Sequence, residues 1–165
     1  MREPAVTAYR LTTHWRFDAP LEMVWNAILD ADSWPNWWPG IASSLLDPGA
    51  VHGQGEVRRY TCRSVLPLRL TFVSRITRVA PRRLIEGRVE GDVVGVGRCN
   101  FNHCAGQTTV SFDWQVHTTS RWLNRMGPLV APLMRWNHQR MMHNGGRGLA
   151  RDLARRLDVQ GARTS

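Results

Sequence analysis

Over residues 9–17 the side chains alternate: Tyr9, Leu11, Thr13, Trp15 and Phe17 fall on one face, Arg10, Thr12, His14 and Arg16 on the other. A period of two is that of a half-buried strand. Asp18-Ala19-Pro20 then breaks the pattern; Asp18 suits the cap of a helix and Pro20 its first turn. Leu21, Val24, Trp25, Ile28 and Leu29 follow at helical spacing, which predicts a short amphipathic helix to about Asp30. Segment 32–39 carries two prolines and three tryptophans and can hold only a short, broken helix.

From residue 41 the period returns to two. Strands are predicted over 41–46, 55–63, 68–79, 83–91, 94–105 and 107–117, separated by Asp47-Pro48-Gly49, Leu66-Pro67, Ala80-Pro81, Gly91-Asp92 and Ala105-Gly106. Connections this short imply an antiparallel meander, because a parallel pair needs a crossover of about a dozen residues. One face collects Leu68, Leu70, Phe72 and Ile76, then Cys99, Phe101 and His103, then Val110, Phe112, Trp114 and Val116. The other carries Arg69, Thr71, Arg75, Thr109, Ser111, Asp113 and Gln115, so one face is wet and the other covered. Tyr60 and Arg59 point oppositely, with the inward one undecided. After segment 120–126 and a Gly127-Pro128 break the chain is helical to about Leu157, disturbed at Pro132, with a frayed tail over 158–165. Met134, His138, Met141, Met142, Gly145, Leu149, Leu153 and Leu157 form the apolar stripe of this helix. Gly145, Gly146 and Gly148 each cost a helix roughly 1 kcal/mol relative to Ala; they either let the helix approach the sheet closely, the favoured reading, or mark a soft, bendable turn. The class is α+β: one domain over 1–165, ordered over about 9–157, with a curved antiparallel sheet of about seven strands around a long C-terminal helix and two short helices after the first strand. A straight helix and a curved sheet cannot touch everywhere, and the gap between them predicts a cavity.

Composition narrows the partners. All 22 basic residues are Arg, against 13 acidic ones, for a formal charge of +9. Arg58, Arg59, Arg69, Arg75, Arg78, Arg82, Arg83 and Arg88 are scattered over strands, and Arg147, Arg151 and Arg155 line one side of the helix. No zinc finger, RNP-type strand or helix-turn-helix accompanies them, so they read as solvated faces and no nucleic-acid partner is expected. Three cysteines, Cys62, Cys99 and Cys104, form no CxxC pair and are expected to be reduced thiols in a cytoplasmic protein. No apolar run approaches the roughly 18 residues of a membrane span, and residues 1–10 lack a signal-peptide core. His138 and Met142 supply two ligands without a third, so no metal is expected. There is no GxSxG elbow, P-loop or GxGxxG after a strand, and no cofactor is expected.

The run Trp15-x-Phe17-x-Ala19-Pro20-x-Glu22-x-Val24-Trp25-x-x-Ile28-x-Asp30, followed by Trp34-Pro35-x-Trp37-x-Pro39, resembles the opening of START-like (SRPBCC) proteins. Leu66-Pro67, Gly95-x-Gly97, Thr118-Thr119, Asn137-His138 and Gly148-Leu149 extend the resemblance to the polyketide cyclase/dehydrase and lipid-transport group, over about residues 9–157. It implies a helix-grip fold with a deep cavity for an apolar small molecule. Because the group holds aromatic polyketide cyclases as well as lipid carriers, chemistry must be sought in the site.

Eight tryptophans in 165 residues are many. Trp15, Trp25 and Trp114 lie on covered faces, as core or as cavity wall. Trp34, Trp37 and Trp38 share a proline-bounded segment too short to bury all three rings, so Trp37 and Trp38 are expected at a cavity lip or on a lipid surface. Leu70, Phe72, Phe101, Phe112, Trp114, Met134, Met141 and Met142, with Trp15, Trp37, Trp38 and His138, are the expected ligand-binding set. Acid–base chemistry needs a titratable group aimed inward. His138 and His103 fall on inner faces and are the candidate catalytic bases, or satisfied core histidines; His14 and His117 fall outside and His52 in a turn. Glu86, Arg88 and Glu90 share a face and read as an ion-pair ladder. Catalysis on an apolar ligand and non-catalytic carriage, with or without membrane docking, both remain open.

Overall fold

The computed structural model describes residues 8–50, 53–64 and 66–163, and His52 lies outside them. The first alternating segment is strand β1 (Ala8–Phe17), followed by helices α1 (Leu21–Leu29) and α2 (Trp34–Trp37). Strands β2 (Ile41–Asp47), β3 (Val57–Arg63), β4 (Arg69–Ala80), β5 (Leu84–Gly91), β6 (Val93–Cys104) and β7 (Gln107–Thr118) come next. Helices α3 (Arg121–Arg125) and α4 (Gly127–Arg163) complete the order. The sheet is antiparallel throughout, in the order β1-β7-β6-β5-β4-β3-β2. Consecutive strands β1 and β2 thus occupy opposite edges, and α1 and α2 carry the chain from one edge to the other. Trp15 pairs with Val110, Thr13 with Phe112 and Leu11 with Trp114, so the apolar faces of β1 and β7 coincide.

The α4 stripe packs on that face: Met142, Leu149 and Leu153 are buried beside Val24, Ile28 and Val110. Each such side chain contributes about 1.5–3 kcal/mol through burial. Two expectations at helix ends need correction. Asp18 does not cap α1, because the helix starts at Leu21 with Pro20 at the cap position, too far along for the Asp18 side chain; Asp18 instead accepts a hydrogen bond from Gln107 Nε2 at 2.7 Å. The helix does not end near Leu157: α4 runs to Arg163, and no proline follows Pro132 to stop it.

The expected exposure of Trp37 and Trp38 is also overturned. Both rings are 4% exposed, stacked on each other at 5.6 Å, with half-buried Trp34 beside them. Room for them comes from α4. A Cβ on Gly145 would overlap the Trp38 ring, one on Gly148 would overlap the Trp37 carbonyl, and one on Gly146 would lie 2.9 Å from the Trp15 ring. Close packing is what these glycines provide. Two hydrogen bonds complete the contact: Trp15 Nε1 donates to the Met142 carbonyl and Trp38 Nε1 to the Met141 carbonyl, each at 3.0 Å.

Gly148→Ala should therefore cost about 3 kcal/mol or more in chemical denaturation, because backbone rather than a flexible side chain must move. Gly161→Ala, where an added Cβ meets nothing within 4 Å, should leave stability unchanged or slightly raised. Equal effects of the two substitutions would contradict this account of the contact.

Candidate functional site

The glycine face holds the second half of α4 against β1 and α2, and the first half spans open space above the sheet. A cavity of about 230 Å³ lies there. Leu70 and Phe72 line it from β4, Phe112 and Trp114 from β7, Trp38 from the segment after α2, and Met134, His138, Met141 and Met142 from α4. Trp114 reaches inward because its cross-strand partner is Gly97, whose absent Cβ would sit 3.0 Å from the indole ring.

Other expected wall residues sit elsewhere. Trp15 is buried behind the wall by its bond to α4, and Trp37 is covered by Trp38 and the α4 backbone. Phe101 meets Trp25 edge-on at 4.9 Å, because this end of β6 is covered by α1 rather than α4. His103 is farther along the same strand, beyond that cover, and is exposed. Its Nδ1 lies 2.9 Å from Thr108 Oγ1, and that hydroxyl donates its own proton to the Ala19 carbonyl. His103 therefore donates to Thr108, which leaves it a turn-stabilising residue outside the cavity.

Polar groups in the wall are few. Tyr9 Oη, Ser64 Oγ, Asn137 Oδ1 and His138 Nδ1 are buried without a hydrogen-bond partner among the described residues, and all four residues line the cavity. An unpaired buried polar atom costs roughly 1–3 kcal/mol, so these atoms are poised for a ligand with oxygen functions. Burial pulls the His138 pKa down to about 4, which keeps the imidazole neutral. Burial raises the Tyr60 and Tyr9 phenols, each only partly opposed by a nearby guanidinium (Arg58 and Arg135), and both remain protonated donors. The Cys62 thiol in the wall is pushed up to about 12 by burial, and the Cys99 thiol is also raised by burial. Glu56 and Arg98 reach the lining, each already held in an ion pair, with Arg58 at 3.0 Å and with Glu86 at 2.5 Å. The cross-strand Glu86–Arg98 pair replaces the expected ladder through Arg88, because the register sets Arg98 directly opposite.

Tyr60 is the inward member of the Arg59/Tyr60 pair, stacked on Trp34 at 5.3 Å and Phe72 at 5.6 Å. Its strand neighbour Arg58, expected on a solvated face, is 4% exposed. Arg58 bonds Asp32 at 2.5 Å and Glu56 at 3.0 Å and so ties the α1–α2 link to β3. Burial opposes its charge, but hydrogen bonds to Asp32 and Glu56 prevail and raise its pKa. Sequence reasoning missed Tyr9, Tyr60 and Asn137 as wall residues. Tyr9 was legible, since it shares the face of Trp15.

The arrangement is that of a helix-grip protein built around an apolar cavity. Residues 9–154 match the family described as polyketide cyclase / dehydrase and lipid transport, and the chain belongs to that family. No curated protein matches it in sequence. Among solved structures it is similar to the Zhui aromatase/cyclase from Streptomyces sp. R1128, with 17% identity, a TM-score of 0.72, and coverage of 91% of this chain and 96% of that one. A START superfamily protein from Mycobacterium smegmatis is 14% identical at a TM-score of 0.70, over 88% of this chain and 97% of the other. The di-domain ARO/CYC BexL from the BE-7585A biosynthetic pathway is 18% identical at 0.61, over 85% of this chain and 49% of that one. At these identities the structural likeness establishes the shared fold.

A neutral buried histidine has a consequence for stability. The unfolded chain protonates His138 near pH 6.5 and the folded one only near pH 4. Between those values the unfolded state binds more protons, so stability falls as pH drops from 6.5 to 4 and levels off below. Up to roughly 3 kcal/mol is involved. His138→Gln should flatten that part of the stability profile measured by denaturant titration; an unchanged slope would mean that the imidazole is solvated.

Proposed function

We propose that the cavity binds an oxygenated, ring-forming ligand of polyketide type and that His138 acts on it as a general base. The observation that carries this reading is His138 itself: neutral, lining a mostly apolar wall, with an unpartnered Nδ1. Carriage of a hydrocarbon chain would not call for such a group, whereas removal of an acidic C–H between two carbonyls needs an unprotonated base within reach. The proton of that methylene passes to the imidazole, and its electron pair spreads into an enolate. The forming enolate raises the basicity of the histidine beside it, which offsets the depression by burial. The enolate carbon bonds to a second carbonyl of the same chain, and the alkoxide so formed takes a proton back from the imidazolium. Tyr60, held protonated by burial, is suited to hydrogen-bond a ligand oxygen, and Tyr9 likewise. The aromatase/cyclase neighbours support the reading by fold and the family by description. The mostly apolar character of the wall favours a second reading, a carrier that uses His138 for shape and one hydrogen bond.

Rate and binding separate the two. His138→Gln keeps size and hydrogen bonding while removing basicity. On a cyclisable polyketone, the first reading expects a rate loss on the order of 10²-fold or more with nearly unchanged affinity. Full turnover by the variant would exclude His138 as the base, and binding of the polyketone without turnover in the unsubstituted protein would select the carrier. Affinity can be read from tryptophan emission, because Trp38 and Trp114 are in the wall. Trp114→Phe should reduce the ligand-induced change.

A further inference from the structure

With Trp37 and Trp38 buried, the large apolar side chains left in solvent lie elsewhere: Leu45 and Leu46 on β2, Val159 near the end of α4, and a group of four around the start of α4. Leu129 is 80% exposed, Leu133 45%, Trp136 46% and the preceding Met126 46%. Leu129, Leu133 and Trp136 are spaced by four and three residues, which places them on one side of α4. Arg140, Arg147 and Arg151, all exposed, continue the same line at helical spacing. Met134, His138, Met141 and Gly145 fall on the opposite side, towards the cavity and Trp38. The first half of α4 is therefore apolar on both faces, which burial against its own sheet does not explain.

Charge selects what meets the outer face. No acidic residue lies between Asp113 and Asp152, a stretch that holds Arg121, Arg125, Arg135, Arg140, Arg147 and Arg151. Among the described residues none of these six arginines is in an ion pair. A second copy of the chain would bring uncompensated arginines to the same interface. A nucleic acid would meet the arginines but would leave Leu129 and Leu133 without a partner. A bilayer surface bearing anionic lipid satisfies both sets at once, with leucine and indole at the acyl boundary and guanidinium groups among the phosphates.

We propose that the outer face of α4, through Leu129, Leu133, Trp136, Arg140, Arg147 and Arg151, docks on anionic membrane. The helix that lines the cavity on one side would then lie against lipid on the other. The inference is independent of any base catalysis by His138.

Vesicle cosedimentation of the full chain tests it. Phosphatidylcholine vesicles containing roughly 30% phosphatidylserine should retain the protein, and pure phosphatidylcholine vesicles should not. About 0.5 M salt should weaken retention. Leu129→Ser with Leu133→Ser should reduce binding by about tenfold, and Arg140→Gln with Arg147→Gln by a similar factor. Arg69→Gln with Arg75→Gln removes equal charge from the wet face of the sheet and should have little effect. The proposal is overturned if the unsubstituted protein stays in the supernatant with anionic vesicles. It is equally overturned if the two leucine substitutions do not weaken binding, or if both arginine pairs weaken it alike, which would be adsorption by overall charge. A concentration-dependent dimer that is abolished by the leucine substitutions, without vesicle binding, would assign the face to self-association instead.

Discussion

Two indole N–H groups bonded to consecutive carbonyls of one helix set the geometry of the whole molecule. Met141 and Met142 accept from Trp38 and Trp15, which stand on segments from opposite edges of the sheet. The bonds are possible only because Gly145, Gly146 and Gly148 give the rings and the α2 backbone somewhere to lie. Glycine weakens a helix locally, and here that cost is set against the burial of Trp15, Trp37 and Trp38. Fixing α4 at its second half also fixes the distance of its first half from the curved sheet. The cavity is what remains between them, so its size is determined by a contact at one end of its own wall, where Trp38, Met141 and Met142 meet.

Much of this was legible in the chain. Strand alternation is a local signal, and turn residues such as Asp47-Pro48-Gly49 and Ala105-Gly106 mark where it resets, so the strand limits agree with the structure to within a residue or two at each end. The α4 stripe was equally plain, because Met142, Leu149 and Leu153 recur at the helical period. Periodicity gives the side on which a residue lies and says nothing of what covers that side. His103 shares its parity with Cys99 and Phe101, yet Cys99 borders the cavity, Phe101 packs against Trp25 of α1, and His103 is exposed.

The tryptophan cluster failed to be read for a related reason. A short proline-bounded segment cannot bury three large rings by itself, and the space comes from glycines more than a hundred residues later. In the sequence Arg58 is indistinguishable from the surface arginines, because its burial depends on Asp32 and Glu56, neither of which is signalled by spacing. Asn137 and Tyr60 were hidden similarly: each is one polar residue beside others, and only the fold shows which of them faces inward.

The two cysteines in the wall bear on what the cavity can safely hold. Cys62, with its thiol pushed up to about 12, and Cys99, raised likewise, both border the ligand space. At about 12 the Cys62 thiol is ionised to only about one part in 10⁵ at neutral pH, burial shifts Cys99 in the same direction, and the thiolate is the form that attacks. Enones and quinones, which alkylate ordinary cysteines, would meet sulfur here as inert apolar surface. The same desolvation that shapes the wall thus makes it chemically quiet, so a reactive guest can be enclosed without being captured by its host.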